Sequence, residues 1–207
     1  MLFGIAVIVR MLCYIRFSVF VCENYTSLQL SVAFVNPNPN GVFCAQEQKD
    51  KWLPLLAAGE AIGTFALSEG NGRPSVKSLT TRMDEAGLNG RKLPAADGRA
   101  ADFAIVVGAA DAGDGASWYL VELDQDGVSR EAVRTLDFSR GHAVLEFSNA
   151  KAELLGGEGA GWSATERLLD RAAVLFAWEQ VGLADAAMIQ ARDYAMGRYA
   201  FGRAIAS

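Results

Sequence analysis

The residues able to do covalent or acid–base chemistry are few and scattered. The chain has one histidine, His142. A metal centre or a Ser/Cys–His nucleophile would need it as ligand or base, whereas a polar residue on a strand face accounts for it more simply. The three cysteines, Cys13, Cys22 and Cys44, are odd in number and lack C-x-x-C spacing. That argues against a disulfide framework and against zinc, and no metal ligand is assigned. What remains are short mixed words: Phe65-Ala66-Leu67-Ser68-Glu69 near the middle, and Arg198-Tyr199-Ala200-Phe201-Gly202-Arg203 near the end. The net charge of −5 offers no basic excess for nucleic acid, so that class of partner is set aside. A mildly acidic surface does not recruit anions either, so any phosphate contact must come from local groups.

The elements that would position these words can be read from periodicity. The 207 residues suffice for one core, or for one domain plus part of another. Residues 47–60 read as a short helix, with Trp52, Leu55 and Leu56 on one face and Gly59 as its stop. Strand-like runs follow at 62–68, 76–83, 103–108, 118–123, 128–134 and 143–147. Asn89-Gly90 is expected to make a type I′ hairpin turn, and Asp124-Gln125-Asp126-Gly127 a second turn. Short strands separated by turns suggest a compact β-barrel or sandwich. Ser163-Ala164-Thr165-Glu166 then fits a capping box, with Ser163 as the cap. A proline-free helix runs from there to about Met196, striped by Leu168, Ala172, Leu175, Val181, Ala184, Met188, Ala191 and Ala195. Gly182 would bend it or permit close packing. A long helix whose apolar face has no cover within the chain points to truncation or oligomerisation.

The first 44 residues differ in style. They hold all three cysteines and Phe3, Tyr14, Phe17, Phe20, Tyr25, Phe34 and Phe43, with only Arg10, Arg16 and Glu23 charged. Leu2–Val21 is barely long enough to span a bilayer, and both arginines within it are costly there. It also lacks the order of a signal peptide. A membrane anchor, a buried strand or helix, and a leader foreign to the rest are all compatible with it. The Asn36-Pro37-Asn38-Pro39-Asn40-Gly41 run reads as a loop that sets it apart.

From about Ala45 to Ser207 the chain resembles the acyl-CoA dehydrogenases. Gln46-Glu47-Gln48-Lys49, Trp52-Leu53-Pro54 and Gly59-Glu60-Ala61-Ile62-Gly63 resemble the approach to that family's middle domain. Phe65 to Glu69 looks like its first flavin-binding strand. Asp137 to Phe147 and Leu154-Leu155-Gly156 are similar to the end of its β-domain. Asp170-Arg171-Ala172-Ala173 and the closing Arg198-x-x-Phe201-Gly202-Arg203 resemble the opening of its C-terminal helical domain. The resemblance implies an α+β fold: residues 45–60 end an N-terminal helical region, 61–158 form a mostly antiparallel β middle domain, and 159–207 start a truncated helical domain. Residues 1–44 lie outside it.

The resemblance also implies FAD as cofactor and an acyl-CoA thioester as substrate, desaturated between its α and β carbons. Phe65, Leu67 and Ser68 are carried over as flavin contacts. Arg198 and Phe201 are carried over as contacts to the FAD of a neighbouring subunit, where the guanidinium fork suits a pyrophosphate. Ser75 and Asp170 are carried over as acyl-CoA contacts. A homo- or hetero-oligomer and an electron-transfer flavoprotein partner follow by the same resemblance; a cytoplasmic location is expected, with a membrane anchor at residues 2–21 the less favoured alternative.

Several words depart from the family. Its Thr-Glu-Pro-x-Ala-Gly-Ser-Asp run is here Ser68-Glu69-Gly70-Asn71-Gly72-Arg73-Pro74-Ser75. Asn89-Gly90-Arg91-Lys92 is followed by Leu93-Pro94-Ala95 rather than Trp-Ile-Thr, so an aromatic cover and a backbone donor are lost. The reaction needs a glutamate base in a dry pocket, where its pKa rises toward working pH. Alignment places one family position for that base at Ala172, and neither Glu166 nor Glu179 has a geometric claim. No catalytic residue is assigned, and the chain by itself is expected to be inactive. A dehydrogenase fragment, an inactive dehydrogenase-like binding subunit and a membrane-anchored interaction protein are the competing functional readings.

Overall fold

The computed structural model describes residues 37–38, 41–42, 45–70, 72–110, 115–136 and 141–206. The anchor reading of Leu2–Val21 and the residues 137–140 named above lie outside them. Within the Asn36–Gly41 run, β1 (Pro37–Asn38) pairs antiparallel with β2 (Gly41–Val42). Two compact units divide the chain, one of Thr26–Leu169 and one containing Asp170–Ser207.

After β1 and β2 the first unit continues with α1 (Gln46–Ala58), which buries Trp52 and Leu56 one turn apart. Gly59 ends it at φ 72°, and the Glu60 N–H reaches back to the Leu55 carbonyl. That left-handed cap is the stop read from the sequence. An eight-stranded sheet follows, in the order β10-β7-β6-β4-β5-β9-β8, with β3 also on β6. The strands are β3 (Gly63–Ala66), β4 (Arg82–Asp84), β5 (Gly87–Ala96), β6 (Phe103–Ala109), β7 (Ala116–Glu122), β8 (Val128–Val133), β9 (His142–Ala150) and β10 (Glu153–Leu155).

Every residue of β6 is buried. Alternation sends Phe103, Ile105 and Val107 into one cluster with Trp118, Leu120, Trp52, Leu56 and Leu168. Ala104 and Val106 enter a second with Tyr119, Val121, Leu88, Leu145 and Phe147. The sheet thus has helices against one face of β6 and β7, and its own β5 and β9 against the other.

Three expectations are corrected. The α+β, mostly antiparallel reading holds, but of the barrel and sandwich alternatives the barrel does not close, and the sheet is mixed because β3 and β4 both run parallel to β6. Short strands and turns alone do not reveal that β3 skips past two strands to find its partner. Secondly, Asn89-Gly90 is not a turn; it lies inside β5, and the chain reverses at Glu85-Ala86. Asp84 Oδ1 accepts the N–H groups of Ala86 and Gly87, and the Asn89 amide bonds Asp84 and Asn149. Gly90 is required for closeness instead: at φ 146° a Cβ there would stand 2.5 Å from Thr81 Oγ1 and 2.6 Å from Thr81 Cα. Gly90→Ala is therefore expected to lower stability by about 2–5 kcal/mol, read from chemical denaturation. Thirdly, residues 76–83 are not one strand. Ser78 Oγ accepts the Ser75 N–H and donates to the Ser75 carbonyl, closing a 3-10 turn at Val76–Ser78 before β4 begins.

The second helix, α2 (Gly161–Gly197), has 37 residues and is unbroken at Gly182. It begins two residues before the expected Ser163 cap. Gly161 lies so close to β7 that a Cβ would meet the Ala116 carbonyl oxygen at 2.8 Å. The Ser163 hydroxyl donates to the Ala160 carbonyl, and Glu166 accepts from Trp162 Nε1 rather than reaching back as in a capping box. Tertiary contact, not the local box, sets this start. In the second unit the helix carries exposed Val174, Trp178 and Val181, which with Ala173 and Ala177 line a shallow apolar groove of about 410 Å³. Its length and hydropathy would also allow it to cross a membrane, a property shared by core helices of soluble proteins. The chain ends in a small hairpin of β11 (Tyr199–Ala200) and β12 (Arg203–Ala204).

Candidate functional site

The strand β3 delivers the first group of candidate residues. Phe65 is half-buried, its ring edge-on to Trp118 with centroids 5.5 Å apart. Leu67 packs on the same cluster. Beyond β3 the chain stays extended beside β5, where the Ser68 carbonyl accepts the Leu93 N–H at 2.8 Å. A cleft of about 160 Å³ opens here, walled by Leu67, Ser68, Glu69, Arg73, Ser78 and Leu79 among others. Ligand pockets run to several hundred Å³, so this is one wall of a site for a large cofactor rather than a whole one.

The centre of this wall is a buried ion pair. Lys92 is fully buried, and its ammonium donates to Glu69 Oε1 at 2.7 Å, to the Leu67 carbonyl at 3.2 Å and to the Val107 carbonyl. Glu69 also accepts the Thr80 N–H at 2.7 Å, the Thr80 hydroxyl at 2.6 Å and the Thr81 N–H at 3.0 Å. Burial alone would raise the Glu69 pKa, but hydrogen bonds from Lys92, Thr80 and Thr81 and the lysine charge outweigh it, holding it at about 2. Burial pushes Lys92 below its ordinary value, against the pull of Glu69.

The sequence reading passed over this pair. Its signal was a lysine within β5, between buried Leu88 and buried Ala95. Charged residues are almost never fully buried without a partner, so Lys92 asked for one.

Ser75 does not wall the cleft; its hydroxyl is engaged with Ser78 Oγ at 3.1 Å, and Ser78 occupies the wall instead. His142 opens β9, half-buried and in register with Ala96 and Val133, a strand-face position.

The other candidates belong to the second unit. Asp170 is exposed on α2. Arg198 follows the end of that helix, with its guanidinium 5.8 Å from the Tyr194 ring centroid. Ile205 N–H to the Arg198 carbonyl and Ala206 N–H to the Ala195 carbonyl fold the final hairpin back on the helix end. Phe201 and Gly202 form its two-residue turn, both at positive φ, 54° and 82°. A phenylalanine in that region is strained, and this one is fully exposed. Arg198 and Phe201 thus sit together on one small projection, whereas Asp170 lies 28 residues away along the chain.

An α+β unit with this cleft has close relatives of known structure. No family model matches the chain. It is 36% identical to an acyl-CoA dehydrogenase of Bacillus subtilis, over 84% of this chain and 49% of that one. A glutaryl-CoA dehydrogenase from Mycobacterium smegmatis in complex with FADH2 superposes with a TM-score of 0.68 at 29% identity, over 79% of this chain and 44% of that one. The butyryl-CoA dehydrogenase of Megasphaera elsdenii gives 0.72 at 25%, over 87% and 50%. The chain belongs to the acyl-CoA dehydrogenase family. It spans about half the length of the curated relatives it matches.

Proposed function

We propose that this chain carries the flavin-binding portion of an FAD-dependent acyl-CoA dehydrogenase, which desaturates an acyl-CoA between its α and β carbons. The observation that carries the reading is the 36% identity across 84% of the chain. FAD supplies the hydride acceptor for such a reaction. Phe65, Leu67 and Ser68 hold its ring, with Leu67 and Ser68 in the cleft wall. Arg198 and Phe201 reach a second FAD in a neighbouring subunit: an exposed guanidinium fork and an exposed ring on a rigid turn are suited to a phosphate and a flat partner. Ser75 and Asp170 belong to the acyl-CoA side. The apolar groove at Val174, Trp178 and Val181 supports assembly into a homo- or hetero-oligomer. An electron-transfer flavoprotein as redox partner and a cytoplasmic location complete the reading.

The α-proton must pass to a carboxylate that is basic near neutral pH. Among the described residues the cleft wall offers one carboxylate, Glu69, and its pKa of about 2 makes it far too weak a base. The chain alone is therefore expected to show no acyl-CoA-dependent dye reduction. Measurable turnover would show that a base has been overlooked.

FAD titration of the purified chain, followed by flavin fluorescence, tests the reading directly. A retained, quenched flavin supports it. A folded protein that stays colourless would favour the second reading, an inactive dehydrogenase-like subunit, for which Leu93-Pro94 in place of an aromatic cover is the specific observation. Phe201→Gly separates function from stability at the hairpin. It relieves the positive-φ strain, so the melting temperature should hold or rise, while flavin affinity in the assembled protein should fall. Unchanged affinity would remove Phe201 from the cofactor site.

A further inference from the structure

We infer that Lys92 and Glu69 are positioning residues that set the flavin-facing edge of residues 67–69, an inference that rests on the flavin reading above. Two segments distant from it in sequence meet at the Lys92 ammonium: the stretch just after β3, through the Leu67 carbonyl and the Glu69 carboxylate, and β6, through the Val107 carbonyl. Glu69 extends the tie to the Thr80 and Thr81 amides, eleven and twelve residues on. Both ends of the segment that forms the cleft's far wall are thereby pinned to one charged group.

The consequence for a ligand is directional. The peptide unit is planar and trans, so the N–H of each residue points opposite to the preceding carbonyl. Lys92 holds the Leu67 carbonyl, which turns the Ser68 N–H the other way. The Leu93 N–H holds the Ser68 carbonyl and does the same for the Glu69 N–H. A ring edge that reads backbone donors at Ser68 and Glu69 depends on these two peptide planes being fixed. The Glu69–Lys92 pair fixes the first and braces the second, since Leu93 adjoins Lys92. Pre-set donors cost a ligand no ordering on arrival. An apolar pair would fill the same space but would not orient a carbonyl.

The test uses the full chain and three forms of it: Lys92→Met, Glu69→Gln, and, as a control, Glu146→Gln at the exposed Arg91–Glu146 pair. Amide hydrogen exchange is read at Thr80, Thr81 and Leu93, with β8 and β9 as internal reference. FAD affinity and the visible absorption band of the bound flavin are read in parallel. In Lys92→Met, exchange at Leu93 should accelerate about tenfold or more, and in Glu69→Gln the same should hold at Thr80 and Thr81. FAD should bind about tenfold more weakly in both. The flavin that still binds should show a displaced absorption band, which a loss of stability alone would not produce. The control should match the parent throughout.

Folded variants with parental exchange at these amides would overturn the inference, whatever the flavin does. Accelerated exchange with parental affinity and spectrum would overturn it too. If the parent itself binds no FAD, the flavin reading falls, and the exchange data alone decide whether the pair positions this edge. Should either single variant fail to fold, Glu69→Gln/Lys92→Met leaves no uncompensated buried charge and is judged by the same readouts.

Discussion

Glu69→Gln should lower the stability of the β unit by about 3–5 kcal/mol at neutral pH, because it leaves the buried Lys92 ammonium without its counter-charge. The lysine is 0% exposed and cannot turn to water, while the carboxylate is 12% exposed. The two partners carry opposite halves of the balance. Glu69 is held ionised by its bonds, whereas Lys92 loses more by burial than Glu69 returns to it. Removing one partner is accordingly worse than removing both, and Glu69→Gln/Lys92→Met should recover much of the loss.

The pH dependence has a definite sign. The folded pKa of about 2 lies below the unfolded value of 4.5, so the carboxylate's contribution is complete above 4.5 and is lost as pH falls through 2. That contribution is on the order of 3 kcal/mol. Urea unfolding measured from pH 6 down to 2 should show the parent losing stability over this window and Glu69→Gln losing distinctly less. Parallel curves would mean that Glu69 is not held as described.

Trp118→Ala should cost a comparable amount, about 3–5 kcal/mol. The indole is 2% exposed in the core cluster that joins α1, β6 and the first turns of α2. Its Nε1–H donates to Thr165 Oγ1 at 2.9 Å, and that hydroxyl donates on to the Gly161 carbonyl at 2.8 Å. Trp118→Phe keeps most of the volume and leaves the Thr165–Gly161 bond intact, so about 1–2 kcal/mol is expected for it. The midpoint of chemical denaturation distinguishes the two. Because Phe65 rests edge-on against Trp118, the alanine variant should also weaken flavin binding more than its stability loss requires. If both variants unfold at the parental midpoint, the ring is not the link between helices and sheet that its contacts imply.

The elements carrying strong local signals were legible from residues alone. Gly59 ended α1 because only a left-handed residue closes that helix end cheaply, and the continuous apolar runs at 103–108 and 118–123 marked β6 and β7 as strands. The long proline-free run of α2 was plain, to within a residue at its C-terminal end. The terminal word Arg198-x-x-Phe201-Gly202-Arg203 was singled out before its hairpin was known.

What failed shared one cause. Asn89-Gly90 has the composition of a turn, but Asp84 already closes one three residues earlier and Thr81 presses against Gly90. Ser163 has the composition of a cap, but Gly161 against β7 starts the helix sooner. Lys92 reads as a surface lysine until Glu69, Leu67 and Val107 surround it. In each case the deciding contact comes from a residue distant in the chain or from another element, and periodicity cannot report it.

The sequence by itself determined the family, the α+β class and the residues worth testing, because those rest on local words and their order. Only the tertiary structure decided the open mixed sheet with its parallel β3, the cleft beside Ser68, and the buried Glu69–Lys92 pair at its centre. The physical reason is burial: it removes the water that would otherwise satisfy a charge or a carbonyl, so partners must be found across the fold, wherever packing brings them.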